Sequence, residues 1–366
     1  MKKILVIGQT PPPFGGQAMM IKRMLDGDYK NATLYHVDMS FSKEMDQMGK
    51  FSFSKLFQPF IIVAKTIHLK FKHNIPVLYY PPSGPSFLPI LRDIVLLLSV
   101  RWMFKKTIFH FHAAGMSEFY NQLPWILKIP FKLAYFKPDI AIQLSEYNPN
   151  DAASLEATTT CFIPNGIEDD YLEMHPAARL ENSVCTILFV GMISESKGVL
   201  VLVEAIKLLH DNGIQVKVCI VGKFASESFK KIVYDKLSDY NIQDLFEFTG
   251  VLTGLSKNER YLAADIFCFP TFFECESFGL VAVEAMQFGL PVVLSRWRGL
   301  QSLIEDGEQG FFAPAQDTVV LADKLTLLVN DAILRKSMGM KGREKYLQKY
   351  TADAFYRNMD ECFGKL

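Results

Sequence analysis

Three things are missing from these 366 residues: a Cys-x-x-Cys pair, a run of about 18 apolar residues, and a net charge. The six cysteines, Cys161, Cys185, Cys219, Cys268, Cys275 and Cys362, have no metal-ligand spacing. Cys185, Cys219 and Cys268 sit inside apolar runs, so they read as core thiols of a reducing compartment rather than a disulfide or zinc framework. The longest apolar candidate, 87–104, is broken by Arg92-Asp93 and Arg101, which excludes a membrane span. The apolar run after Met1-Lys2-Lys3 is too short for a secretory signal, so a cytoplasmic protein is expected. The 39 Lys and Arg cancel the 39 Asp and Glu, which argues against a nucleic-acid partner. A dinucleotide-binding turn is missing too. Ile4 to Ile7 reads as a buried strand, but three prolines stand where G-x-G-x-x-G would begin.

The composition, 49% hydrophobic and 21% charged, suits large cores, and the length suits two domains. Short apolar runs alternate with helical stretches throughout: 4–7, 33–37, 77–80, 107–111, 140–144, 161–163, then 186–190, 216–221, 245–249, 266–269 and 292–294. This is a βαβ pattern and predicts an α/β fold with parallel sheets. Asp26-Gly27-Asp28 has the look of a metal-holding Asp-x-Asp, but a glycine turn between helix and strand is the stronger reading. His110 and His112 share one face of a strand. His110 reads as core. His112, nearer the carboxyl end where open sheets place ligands, reads as a site residue.

The stretch 269–295 carries the chemistry. Pro270 stops a strand, 271–277 form a loop, and Phe278-Gly279 opens a helix that is apolar except for Glu284. A buried carboxylate needs a partner, so Glu284 is expected to face a ligand; a structural hydrogen bond is the plainer alternative. Glu276 lies eight residues earlier. At about 1.5 Å per helical residue the two would stand roughly 12 Å apart, which suits two ends of one extended ligand.

This string resembles the donor-site signature of the retaining glycosyltransferases of family 4, which have the GT-B fold of two Rossmann-like domains facing a central cleft. Their Glu-x7-Glu motif falls on Glu276 and Glu284, with Ser277 where many members have glycine. The resemblance implies a nucleoside-diphosphate sugar donor, no metal and no other cofactor. Glu276 would contact the sugar and Glu284 the ribose. Lys197 and the amides of Gly279, Leu280 and Val281 would meet the diphosphate, with Ser277 and Phe278 beside them. Val251 would lie at the nucleobase, and Gly15, Gly16 and His112 near the transferred sugar or acceptor. Glu276, Lys197 and His112 are the expected catalytic residues. Met192 stands where the family has arginine, and Arg296 or Arg298 is expected to compensate; Arg298-Gly299 and Ser302 replace the usual glycine pair and acid.

By the same resemblance, 1–167 with helix 350–366 form the acceptor-side domain, 168–183 the linker and 184–349 the donor domain. Lys341, Arg343, Glu344 and Lys345 read as a solvated helix face. The implied partners are the nucleotide sugar and a glycan or lipid-linked acceptor of cell-surface polysaccharide assembly. Residues 41–139 hold 13 Lys or Arg against 5 Asp or Glu, interleaved with aromatics. They read equally as a solvated face over a core or as a patch for the anionic inner membrane surface. Two other functions stay open: a noncatalytic sugar-nucleotide binder, separated by assaying transfer, and a nicotinamide-dependent oxidoreductase, separated by dinucleotide binding.

Overall fold

A computed structural model describes residues 1–12, 15–39, 53–174 and 184–366. The chain divides into two compact units, 1–166 with 352–366, and 167–351.

In the first unit six strands form one sheet: β1 (Lys2–Gly8), β2 (Ala32–Asp38), β3 (Val77–Tyr80), β4 (Lys106–Phe111), β5 (Ile140–Gln143) and β6 (Thr159–Phe162), in the order β2-β1-β3-β4-β5-β6. Every pairing is parallel. Alternation sends neighbouring residues of β1 to opposite cores. Leu5 and Ile7 pack with Leu97, Phe131 and Tyr135 under helices Phe87–Val100 and Trp125–Tyr135. Ile4 and Val6 pack with Met20 and Met24 of helix Gly16–Asp26, and with Phe355 and Met359 of the final helix, Ala352–Gly364. Both faces are thus covered, which is why the central strands read as unbroken apolar runs. Each such buried side chain is worth about 1.5–3 kcal/mol. Asp26-Gly27 is a helix end and turn, with Asp26 paired to Lys22 at 2.9 Å.

The second unit also holds one parallel sheet: β7 (Cys185–Val190), β8 (Val216–Val221), β9 (Phe246–Gly250), β10 (Ile266–Phe269), β11 (Val292–Ser295) and β12 (Gly310–Ala313), in the order β12-β11-β10-β7-β8-β9. The chain enters in the middle, runs out to β9 and returns to β10. The order therefore reverses between β7 and β10, as it does between β1 and β3 in the first unit; such a reversal is where open α/β sheets bind ligands. Side-chain caps open three helices of this unit: Ser226, Asp317 and Asp331 accept the amides of Phe229, Val320 and Leu334.

The structure adds three things to these expectations. The expected linker, 168–183, is in its described part fastened to the second unit. Asp169 takes both arms of Arg343 at 2.7 and 2.6 Å, and Asp170 accepts from Asn258 at 3.0 Å. The helix face at 341–345 is accordingly not simply solvated: Arg343 is a bidentate tie, and Lys345 is buried. The strand β12 was not foreseen. The interleaved segment at 50–57 lies outside the described residues, apart from the backbone of helix Phe53–His73.

Candidate active site

The site is built where β7 and β10 end side by side. After β7, Lys197 closes a short 3-10 turn, and Gly198 then starts helix Val199–Asp211. Gly198 has a φ of +78°, and a Cβ there would fall 2.0 Å from the Pro270 carbonyl oxygen, so the turn needs glycine to lie against the end of β10. The loop after β10 is fastened to that turn: the Phe272 amide donates to the Ser196 carbonyl at 2.8 Å, and the Thr271 hydroxyl to the same oxygen at 3.3 Å. This zipper brings Glu276 to Lys197, with 2.5 Å between Oε2 and Nζ. Their side chains are only 11% and 19% exposed. The ammonium also lies over the Phe273 ring, 4.5 Å from its centroid.

Gly279, at φ +80°, then turns the chain into helix Leu280–Gln287. It offers no side chain to cap that helix, so the first amides, those of Leu280 and Val281, point outward as an anion-binding end. Two helix N-termini and one lysine thus converge on the β7/β10 reversal.

Glu284 is held separately. Lys257 Nζ donates to Oε1 at 2.7 Å, and the Tyr261 hydroxyl to Oε2 at 2.8 Å. Both donors lie on helix Gly254–Ala263, at i and i+4 on one face. Burial first, and the Glu284 carboxylate second, push the Tyr261 pKa well above 10.0, which keeps the hydroxyl a donor. Glu284 is therefore not an orphan awaiting a ligand: the structural hydrogen bond weighed against that reading is present. Each carboxylate oxygen still keeps a second lone pair.

The remaining second-unit residues fall around this centre. Ser277 is buried. The Phe278 side chain is buried, edge-on to Tyr350 at 5.8 Å. Val251 follows the end of β9, 63% exposed. It stands three strand spacings from β10, roughly 14 Å, so an extended ligand could lie along this sheet edge. Of the two arginines, Arg296 is committed to Asp306 at 2.9 Å. Arg298 lies over the Trp297 ring, and Trp297 Nε1 donates to the Phe273 carbonyl at 2.9 Å, which places that loop beside the Glu276 loop. Met192 is exposed.

In the first unit, Gly15 and Gly16 sit at the start of helix Gly16–Asp26, after β1. A Cβ at either would meet nothing within 4 Å among the described residues. His112 follows β4, its ring 4.0 Å from that of His110. His112 is half-buried as a residue, but both ring nitrogens are shielded from water. Burial lowers its pKa to about 3, so it is a neutral imidazole at neutral pH. His110 Nδ1 bonds the Tyr79 hydroxyl at 2.6 Å, as a core histidine does.

Lys257, Tyr261, Phe273 and Trp297 were not foreseen. The i, i+4 spacing of Lys257 and Tyr261 was visible, but nothing local says that Glu284 is their partner.

Residues 173–345 match the protein family described as "Glycosyl transferases group 1". The chain is 33% identical over 184 residues to the phosphatidyl-myo-inositol mannosyltransferase of Mycobacterium leprae, covering 50% of this chain and 47% of that one. It is 28% identical over 191 residues to CapM of Staphylococcus aureus, a capsular polysaccharide biosynthesis glycosyltransferase, covering 51% and 47%. The matches thus span about half the length of these curated relatives. Among solved structures, Anabaena HepE in complex with UDP-glucose superposes with a TM-score of 0.74 over 100% of both chains, at 18% identity. Residues 173–345 are thus similar to the group 1 glycosyl transferases, and the two parallel six-stranded sheets have the GT-B fold.

Proposed function

We propose that this protein is a retaining glycosyltransferase, moving a sugar from a nucleoside-diphosphate sugar to a glycan or lipid-linked acceptor in cell-surface polysaccharide assembly. The observation that carries this reading is the Lys197–Glu276 pair, set between two helix N-termini at the β7/β10 reversal. A leaving diphosphate is an anion that needs stabilising as the glycosidic bond breaks. Lys197, the amides of Leu280 and Val281, and Arg298 in place of the cation missing at Met192 would supply that charge.

The pair itself suggests the order of events. A diphosphate competes with Glu276 for Lys197, and a carboxylate so released lies beside the sugar. There it would favour positive charge at the anomeric carbon. Glu284, held in place by Lys257 and Tyr261, would use its remaining lone pairs on the ribose hydroxyls. Ser277 would sit beside the diphosphate and Val251 at the base. Gly15 and Gly16, which no described contact obliges to be glycine, would give a ligand close access to the backbone. Neutral His112 would serve as a hydrogen-bonding group for sugar or acceptor, not as a cation. The relatives favour the same setting: one is named for a lipid-inositol acceptor, another for capsular polysaccharide, and HepE was solved with UDP-glucose. Such a reaction would run in the cytoplasm.

Thermal-shift measurements with a panel of nucleoside-diphosphate sugars, followed by transfer assays with and without a strong chelator, test the proposal. One donor class should raise the unfolding midpoint by several degrees at about 100 times its Kd, and chelation should leave transfer intact. A shift with nicotinamide dinucleotides alone would make the protein an oxidoreductase. Donor binding with neither transfer nor hydrolysis would make it a noncatalytic binder, and activity restored by a divalent ion would overturn the metal-free mechanism.

A further inference from the structure

The first unit carries a surface that the transfer reaction does not explain. Helix Trp125–Tyr135 is apolar on both sides. Phe131, Ala134 and Tyr135 enter the core, yet Trp125, Ile126, Ile129 and Leu133 are all exposed, Trp125 by 73%. A helix that is hydrophobic all round belongs inside a protein or against an apolar medium. Next to it lies helix Phe87–Val100, which exposes Leu98 and is followed by Trp102, 77% exposed. Between the two helices a cavity of about 330 Å³ is lined by Leu98, Trp102 and Leu133 together with Arg101 and Lys105.

The charge around this apolar strip is mostly basic, and the one acid lining the cavity is Asp139. No acidic residue occurs from 119 to 138. Lys105, Lys106, Lys128 and Lys132 form no ion pair with an acid among the described residues. Lys128 and Lys132 instead lie over the Tyr120 and Phe136 rings, so their stems run along apolar surface. Asp139 is itself engaged, accepting the Thr107 amide at 2.8 Å. No helix of the described residues is long and apolar enough to cross a membrane.

We infer that this face docks in the plane of an anionic lipid bilayer, with Trp125, Ile129, Leu133 and Trp102 entering the headgroup boundary and the lysines meeting lipid phosphates. Tryptophans at the interface, exposed apolar side chains on one helix face and lysines without acidic partners around them are what such a surface requires. A protein partner would need acidic side chains to answer the same lysines, and is set against the bilayer in the test. The inference does not rest on sugar transfer. Vesicle binding reads the first unit, whereas donor binding reads the second.

The experiment is flotation of the full chain with phosphatidylcholine vesicles, with and without phosphatidylglycerol. The wild type should bind only the anionic vesicles, with a blue shift in tryptophan fluorescence, and should be released as salt rises from about 0.05 to 0.5 M. Trp125→Ser with Ile129→Ser, and separately Lys128→Glu with Lys132→Glu, should each lower binding about tenfold or more while the donor-induced thermal shift stays unchanged. Equal partition onto neutral and anionic vesicles, or none onto either, overturns the inference. So does a solution dimer that the same substitutions disperse without any lipid binding, since it assigns the face to a second copy. The wild-type salt series decides the matter even if a variant fails to fold.

Discussion

Two glutamates eight residues apart end with different cations, Glu276 with Lys197 and Glu284 with Lys257. The glutamates and Lys197 were legible because motif and spacing are local. Lys257 was not, because the pairing bridges two helices and only the fold brings them together. His112 shows the same limit. Its position at a strand end was readable, but its neutrality comes from burial, which lowers its pKa from 6.5 to about 3. The folded state therefore binds fewer protons than the unfolded state between those values. Its stabilising contribution is whole above about pH 6.5 and is lost as pH falls toward 3. The urea midpoint should drop across that window, and His112→Gln should make the drop shallower. Equal slopes in wild type and variant would contradict the burial argument. Between pH 7 and 9 the substitution should add or remove no ionisation in the transfer rate.

At the level of elements, the strands were legible because parallel strands covered on both faces are short unbroken apolar runs. The one missed, β12, is bracketed by a glycine turn and Pro314, turn signals that mask its short apolar run. The helix starts were legible as glycines, but not why they are glycines. Gly198 and Gly213 flank the same helix with nearly the same φ, +78° and +75°. Only Gly198 lies against backbone; a Cβ on Gly213 would meet nothing within 4 Å among the described residues. Gly213→Ala should therefore cost about 1–2 kcal/mol for the left-handed conformation alone. Gly198→Ala should cost a further 1–3 kcal/mol or so for the clash with Pro270. By pushing away the loop that carries Glu276, it should also lower kcat. Urea unfolding and steady-state kinetics on the two variants check this; equal stabilities would mean the β10 loop yields freely.

For the molecule as a whole, alternating strands and helices announced parallel sheets, but strand order is a tertiary property with no local signature. It entered only through the family resemblance. The order matters because it sets Lys197 and Glu276, 79 residues apart, at one reversal point. We propose that this reversal point performs sugar transfer, with Glu276 acting on the sugar and Glu284 on the unreacting part of the donor. A contact with the ribose is nearly equal in ground and transition states, whereas charge at the sugar develops only as the bond breaks. The most direct measurement is the steady-state kinetics of Glu276→Gln beside Glu284→Gln, with circular dichroism to confirm that both fold. Glu276→Gln should lower kcat by about 10²-fold or more, while Glu284→Gln should mainly raise the donor KM. Near-normal kcat in Glu276→Gln would contradict the mechanism.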